Sequence, residues 1–428
     1  MVKGNLAAAI HVLFISRQRL IGRTNGSSTY LLDLALSVRQ AGMIPHLIQP
    51  SSSILGRWPL LRLSSVMSVF ETHRIRGVWR LGSYVIAADW RIYLQAAWAL
   101  SSRIARRLGA KGAWAKDRPA PYSISVAWSR EDHAFLHQAS LGIADVVIAD
   151  YMFQVDGFES LANPEVPTAI VMHDLFHLWE SISPDGRRLV SAALVDRDTE
   201  CRLLGRADAV VAIQAAEARF VADHVPRTRV VLAPMAADPV DRPHPGDATS
   251  VFFVGSNTAP NVVGLKWFFD NVWPSIRAAR PATRLSIAGT VAWAFPNGGP
   301  DGVRFLGLVD DLDLLYQETG VVISPLTFGS GLKVKLIEAM AHGKAIVATG
   351  VTLQGVEAEC ADAVARADTP TEFAAKVIAL LSNDGARGAL AASSLAAARQ
   401  HFARDACYAA FVGWLGEASS GVLKRSKY

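Results

Sequence analysis

The stretch VVISPLTFGSGLKVKLIEAMAHGKAIVATG, Val321 to Gly350, leaves this chain few ways to fold. Its pattern predicts a strand, a Gly-rich turn, a helix, a short turn and a second strand. The first strand, Val321 to Ser324, is an apolar run that needs cover on both faces, as strands of a parallel sheet do. Gly329, Ser330 and Gly331 then open the helix. A glycine-rich turn feeding a helix N-terminus suits an anion, because free backbone N–H groups and the helix dipole point outward there. At 3.6 residues per turn, Gly331, Lys335, Glu338 and His342 fall on one narrow face of an otherwise apolar helix. Gly331 lets a ligand approach the backbone, Lys335 can pair with a phosphate, and the two oxygens of Glu338 suit a sugar diol. Lys335 and Glu338 also satisfy an ordinary helical ion pair at i, i+3. The Gly-Ser-Gly turn at the head of the stripe favours a phosphate-plus-ribose site.

The same alternation extends through the C-terminal half. Strands are expected at Val251 to Gly255, Leu285 to Gly289, Val303 to Leu306, Val321 to Ser324 and Ala345 to Ala348, with helices over Val262 to Arg280, Asp311 to Glu318 and Leu332 to His342. The N-terminal half repeats it more loosely, with strands at His11 to Ser16, His46 to Gln49, Val146 to Asp150, Ala169 to Met172, Ala209 to Ile213 and Val230 to Ala233. Between them, Pro234 to Ser250 is rich in Pro, Asp and Ala and has no periodicity, as a linker would. At 428 residues the chain exceeds one ordinary core. The fold class expected is α/β, two Rossmann-like doubly wound domains over residues 1–240 and 241–405. Residues 406–428 form a last helix that either closes the second domain or packs back on the first. Three scattered cysteines, Cys201, Cys360 and Cys407, form neither a metal-spaced cluster nor a disulfide framework and suit a reducing cytoplasm. The opening MVKGNLAAAIHVLFIS superficially resembles a signal peptide, but its apolar run flows into a first strand. No run approaches the ~18 apolar residues of a membrane span.

One segment differs from both halves. Between Arg57 and Arg118 lie twelve basic residues and three acids, Glu71, Asp89 and Asp117, together with Trp58, Trp79, Trp90, Trp98 and Trp114. From Arg91 to Leu108 a helical wheel puts Arg91, Gln95, Ser102, Arg103, Arg106 and Arg107 on one side. Tyr93, Leu94, Ala97, Trp98, Leu100, Ile104 and Leu108 lie on the other. Two readings stand: a surface helix packed on its own domain, or a basic amphipathic helix for an anionic membrane. No nucleic-acid-binding motif is present.

These residues carry a resemblance. VFFVGSNTAPNVVGLKWFFDNVWPSIRAARP, VRFLGLVDDLDLLY and SPLTFGSGLKVKLIEAMAHGKAIVATGVTLQGVE resemble the donor domain of retaining GT-B glycosyltransferases of family 4, the group 1 glycosyl transferases. Weaker matches are the loop Gly22 to Ser28, VMHDL at Val171 to Leu175, and ADAVVAIQAAEARF at Ala207 to Phe220. The resemblance implies a GT-B fold, two Rossmann-like domains facing a central cleft. The second domain would bind a nucleotide-sugar, UDP- or GDP-linked, as substrate. The first would bind a glycan or lipid-linked acceptor. Glu338 matches the ribose-binding glutamate, and Lys335 a basic residue of one branch of the family. Gly329, Ser330, Gly331, Leu332 and Lys333 match the loop on the donor sugar and diphosphate. Gly255 and Gly289 match strand-end glycines beside the donor, and Gly307, Leu308 and Val309 would run near the base. Lys266 could reach the phosphates, though its position matches the family's usual basic residue poorly. Gly26 and Ser27 fall in the acceptor-side loop. His173, after the apolar strand TAIVM, would sit near the reacting sugar; its other role would be to cap the following helix with Asp174. The family's motif has a second glutamate where this chain has Ser330.

The resemblance also implies front-face transfer with retention, in which the leaving phosphate helps deprotonate the acceptor and the protein supplies orientation and charge stabilisation. It implies no cofactor and no metal, and an enzyme of bacterial surface-polysaccharide or glycolipid synthesis; on the membrane reading of Arg57 to Arg118, it would be cytoplasmic and peripheral on the inner face of the cytoplasmic membrane. Two other functions fit the fold: a noncatalytic sugar-nucleotide-binding partner and a GT-B sugar-nucleotide epimerase. A Rossmann dehydrogenase does not fit, because no G-x-G-x-x-G follows the first strand.

Overall fold

The computed structural model describes residues 9–56, 58–107, 123–181, 195–309, 311–329 and 333–421. The chain forms two compact units, Met1–Ala233 with Tyr408–Tyr428, and Pro234–Cys407. Each is built on a parallel sheet.

In the first unit the strands are β1 (His11–Ile15), β2 (Ile44–Gln49), β3 (Leu60–Arg62), β4 (Thr72–Ile75), β5 (Val78–Leu81), β6 (Tyr84–Ala87), β7 (Val146–Asp150), β8 (Thr168–Val171), β9 (Ala209–Ala212) and β10 (Arg229–Leu232). Seven of them make one parallel sheet in the order β10-β9-β8-β7-β1-β2-β4. Its helices are α1 (Gly26–Gln40), α2 (Trp90–Arg107), α3 (Arg130–Ala139), α4 (Arg197–Leu204) and α5 (Ala215–His224). Asn25 starts α1 with a reciprocal capping box to Ser28, satisfying two of the free N–H groups at the helix end. On one sheet face Leu13, Ile15, Ile48 and Val147 pack with Leu136 and Ala139 of α3.

The second unit holds β11 (Asp247–Val254), α6 (Ala259–Asn271), α7 (Trp273–Ala279), β12 (Arg284–Ala288), β13 (Val303–Gly307), α8 (Asp313–Glu318), β14 (Thr319–Ser324), α9 (Val334–Ala341) and β15 (Ala345–Ala348). Then follow α10 (Gly350–Leu353), α11 (Glu357–Cys360), β16 (Ala365–Arg366), α12 (Pro370–Ser382), α13 (Asp384–Ala397) and α14 (Arg404–Ser419), from which the chain re-enters the first unit at Tyr408. The parallel sheet runs β13-β12-β11-β14-β15-β16. Its strands alternate between two buried layers. Val251, Phe253, Val321, Ile323 and Val347 face one core with Phe268 and Phe373. Phe252, Val322, Ile346 and Ala348 face the other with Leu336 and Met340 of α9. Cover on both faces is why these strands read as unbroken apolar runs.

Three features differ from the sequence-based expectation. The helix expected over Val262 to Arg280 is two helices, because Pro274 has no N–H for a bond to the preceding turn and α6 ends at Asn271. Thr72–Ile75, inside the basic segment, is an edge strand of the main sheet; it is only partly buried, so its sequence lacks an apolar run. The same segment forms a separate antiparallel sheet, β3-β6-β5. Phe268 is fully buried and packs edge-on against Phe373. Phe268→Ala should cost about 3–5 kcal/mol through the cavity it leaves. Urea denaturation followed by tryptophan fluorescence would measure it.

Candidate active site

In a parallel α/β sheet all strands end on one edge, and that is where ligands bind. In the first unit the neighbouring strands β1, β7 and β8 end close to Ser16, Asp150 and His173. Asp150 is fully buried. His173 Nε2 donates to its Oδ1 at 2.7 Å, while Ser16 Oγ and Gln18 Nε2 donate to its Oδ2 at 2.5 and 2.7 Å. Gln18 in turn accepts from Ser27 Oγ at 3.1 Å. The expected acceptor-side Ser27 and His173 are thus joined through two residues that the sequence reading did not single out, Gln18 and Asp150. Gly26 is the first residue of α1, one position before Ser27.

The His173 ring lies 4.1 Å from that of Tyr151 and meets Tyr30 edge-on at 5.8 Å. Tyr151 has φ 72°, and no other non-glycine among the described residues has a positive φ. A bulky residue held in the left-handed region stores strain, and such positions cluster at functional sites. Because Asp150 fixes Nε2 as the donor, the neutral imidazole has Nδ1 as its acceptor atom, suited to a hydroxyl. His173 does not cap the next element: the N–H groups of Phe176 and His177 are taken by Glu200. His177 is also held by Glu200, at 2.5 Å from Nδ1.

Beside this network sits Glu217, buried in the first turn of α5. Burial, and then the nearby Asp174, push its carboxyl up to about 7, against hydrogen bonds from Gln214 and the Ile213 N–H. A native pKa raised above the unfolded value means that the native state binds the extra proton. The stabilisation is complete below about 4.5 and is lost as pH rises through about 7.

In the second unit the strand ends carry glycines. Gly255, Gly289 and Gly307 terminate β11, β12 and β13 and come together. The Gly289 N–H bonds Gly307 O at 2.6 Å. A Cβ on Gly289, at φ +96°, would lie 2.2 Å from Gly255 O. The three strand ends therefore close into a floor without side chains. Gly264, which the sequence reading passed over, serves the same end: a Cβ there would sit 2.6 Å from Pro325 O, so only glycine lets α6 press on the end of β14.

Next along the sheet, β14 leads through Gly329, at φ +132°, toward α9. Ser330, Gly331 and Leu332 lie outside the described residues. Lys333 is the residue before α9, partly buried. α9 buries Leu336, Ile337, Ala339, Met340 and Ala341 and leaves Lys335 and Glu338 on its accessible side. Lys335 Nζ and Glu338 Oε2 pair at 2.6 Å. Below them Tyr316 stacks on His342 at 4.2 Å, and its buried hydroxyl has no partner among the described residues. Leu308 is exposed after β13, and Val309 packs partly against the core. Lys266 is exposed on α6, about 200° around the helix from Gly264. Among the described residues no group of three or more His, Cys, Asp or Glu is placed to hold a metal ion.

Two Rossmann-like units, each a parallel sheet with polar or glycine-lined strand ends, are the architecture of GT-B glycosyltransferases, and solved structures share it along nearly the whole chain. Sucrose-phosphate synthase from Thermosynechococcus elongatus matches with TM-score 0.58 and 14% identity over 96% of this chain and 98% of its own. Anabaena HepE, in complex with UDP and glucose, matches with TM-score 0.59 and 14% identity over 95% and 99%. A variant of S. aureus TarM, in complex with UDP, matches with TM-score 0.60 and 9% identity over 95% and 100%. Residues 248–383, within the second unit, match the family model described as Glycosyl transferases group 1. A Klebsiella pneumoniae protein described as an uncharacterized 44.6 kDa protein in cps region is 25% identical over 140 residues, 30% of this chain and 36% of that protein.

Glu217→Gln keeps the acceptor for Ile213 N–H and removes the titration. Melting temperature should fall for the native protein between pH 5 and 7.5, by the equivalent of up to about 3 kcal/mol. The variant should lack that fall and be the more stable of the two at pH 8.

Proposed function

We propose that the protein is a glycosyltransferase that moves a sugar from a nucleotide-sugar to a glycan or lipid-linked acceptor with retention of anomeric configuration. The observation that carries this reading is the family match over residues 248–383, which covers the glycine floor and the Lys335–Glu338 pair. In this reading Glu338 turns from Lys335 to the ribose hydroxyls when donor binds, and frees the ammonium for the diphosphate. Exchanging one charged partner for another on binding leaves neither group unpaired. Gly329 to Lys333 take the donor sugar and diphosphate at the N-terminus of α9, and Gly307 to Val309 run beside the base. His173, oriented by Asp150, accepts a hydrogen bond from a donor-sugar or acceptor hydroxyl and stabilises the oxocarbenium-like state. Asp150 is a positioning residue.

UDP- and GDP-sugars are the proposed donors; HepE binds UDP and glucose. Retention follows the family resemblance, and the trehalose-6-phosphate synthase among the structural neighbours is described as transferring with retention. A role in bacterial surface polysaccharide or glycolipid synthesis accords with the relative in a cps region.

A thermal-shift screen against UDP-, GDP-, ADP- and TDP-sugars should give one base that stabilises the protein and three that do not. Slow hydrolysis of that donor should be lost in Glu338→Ala and His173→Ala. Binding without turnover across a donor and acceptor panel would instead mark a noncatalytic sugar-nucleotide-binding protein, and conversion of donor without acceptor an epimerase. Asp150→Asn should lower kcat by about 10- to 100-fold with KM nearly unchanged, because the His173 tautomer and ring position are lost while the donor's contacts remain. An equal loss in both constants would remove Asp150 from that role.

A further inference from the structure

The basic segment contains a surface that the transfer reaction does not use. In an antiparallel sheet, residues directly opposite one another share a face. The sheet β3-β6-β5 pairs Leu60 with Ile86 and Ile86 with Trp79, and in the next rung on that face Arg62 with Tyr84 and Tyr84 with Leu81. On the opposite face Leu61, Val85 and Ala87 are buried, and Arg80, opposite Val85, is exposed. The outer face therefore presents five apolar or aromatic side chains and one arginine to solvent. Trp79 is 64% and Leu81 71% exposed. A one-sided antiparallel sheet ordinarily turns polar residues outward, so this one is inverted.

Helix α2 begins three residues after β6 and repeats the inversion. It buries a narrow stripe of mostly small side chains, Ile92, Ala96, Ala99 and Ser102. Its wider apolar arc, Trp90, Tyr93, Leu94, Trp98, Leu100 and Ile104, is exposed, Trp90 by 65%. The Tyr93 hydroxyl donates to Ala87 O at the end of β6, at 3.0 Å, so the two apolar surfaces adjoin. Of the two readings of this helix, packing on its own domain accounts only for the small-residue stripe.

Charge decides what covers the rest. Arg62 is exposed on the outer face of the sheet and Arg91 beside the helix arc, while Arg80, opposite Val85, and Arg103, on the far side of α2, are exposed away from it. The acids among the described residues of the segment are Glu71 and Asp89. A second copy would set arginines against arginines. An anionic bilayer offers apolar depth to the aromatic side chains and phosphates to the guanidinium groups that rim them. No described helix is long and apolar enough to cross a membrane. We infer that the outer face of β3-β6-β5 and the exposed arc of α2 form one docking surface for an anionic lipid bilayer, on which the protein lies without spanning it.

The inference stands apart from the proposed reaction and is tested without it. The full chain is sedimented with vesicles of phosphatidylcholine and with vesicles of phosphatidylcholine mixed with phosphatidylglycerol, at low and high salt. It should bind the anionic vesicles, and bind less at high salt or without phosphatidylglycerol. Trp79→Ser with Leu81→Ser should weaken that binding by about tenfold or more, with melting temperature and nucleotide-sugar binding unchanged. Failure of the full chain to sediment with either vesicle, or equal binding by the double variant, would overturn the inference. So would a concentration-dependent dimer that the same substitutions dissociate and that leaves vesicles unbound.

Discussion

The parallel run of the strands governs where each unit can do chemistry. Because every strand of a main sheet runs the same way, each unit has one edge where strands end and helices begin. Backbone groups there are partly unsatisfied, and whatever chemistry the protein performs has to be assembled from strand-end residues. The two units solve this differently. The first unit places side chains at the edge: Ser16, Gln18 and His173 converge on the buried Asp150. Burying a carboxylate is costly unless its oxygens are satisfied, and three donors satisfy this one. The second unit removes side chains instead, at Gly255, Gly289 and Gly307, and sets a helix with a Lys–Glu pair beside the bare backbone.

These arrangements suit the two halves of a sugar-transfer reaction. A nucleotide diphosphate needs close backbone approach and positive potential. A glycine floor, the N-terminal end of α9 and Lys335 offer both. The reacting sugar and acceptor need fixed hydroxyl partners, and the proposed reaction gives the Asp150-held imidazole that role. The surface proposed to dock on a bilayer lies in a part of the first unit built from β3, β5, β6 and α2, outside the residues that match the family model.

Much of the fold was legible because parallel strands buried on two faces leave an unmistakable mark. Val146–Asp150 and Ala345–Ala348 were readable to the residue, and the other strands of the two main sheets, β4 and the two-residue β16 apart, to within a few. β4 and the β3-β6-β5 sheet were not, since short strands with one exposed face carry no apolar run. In β5 and β6 the exposed face is itself apolar, which erased the alternation that would have marked them. The site was legible where local pattern carries it. His173 follows a strand, and Lys335 and Glu338 share a helix face. Asp150 and Gln18 act only through contacts 23 and 132 residues distant in sequence, which periodicity does not report. Gly264 was hidden for the same reason, since its need for a missing Cβ arises from Pro325 on another element.

The proposed reaction requires the second unit to bind a nucleotide-sugar at the ends of β11 to β14 and along the polar side of α9. Hydrogen–deuterium exchange of the full chain, with and without the nucleotide-sugar that stabilises it, tests this most directly. Exchange should slow in peptides containing Gly289 to Ala294 and Lys333 to His342, with smaller changes around His173. Slowing confined to the first unit, or none at α9, would contradict it.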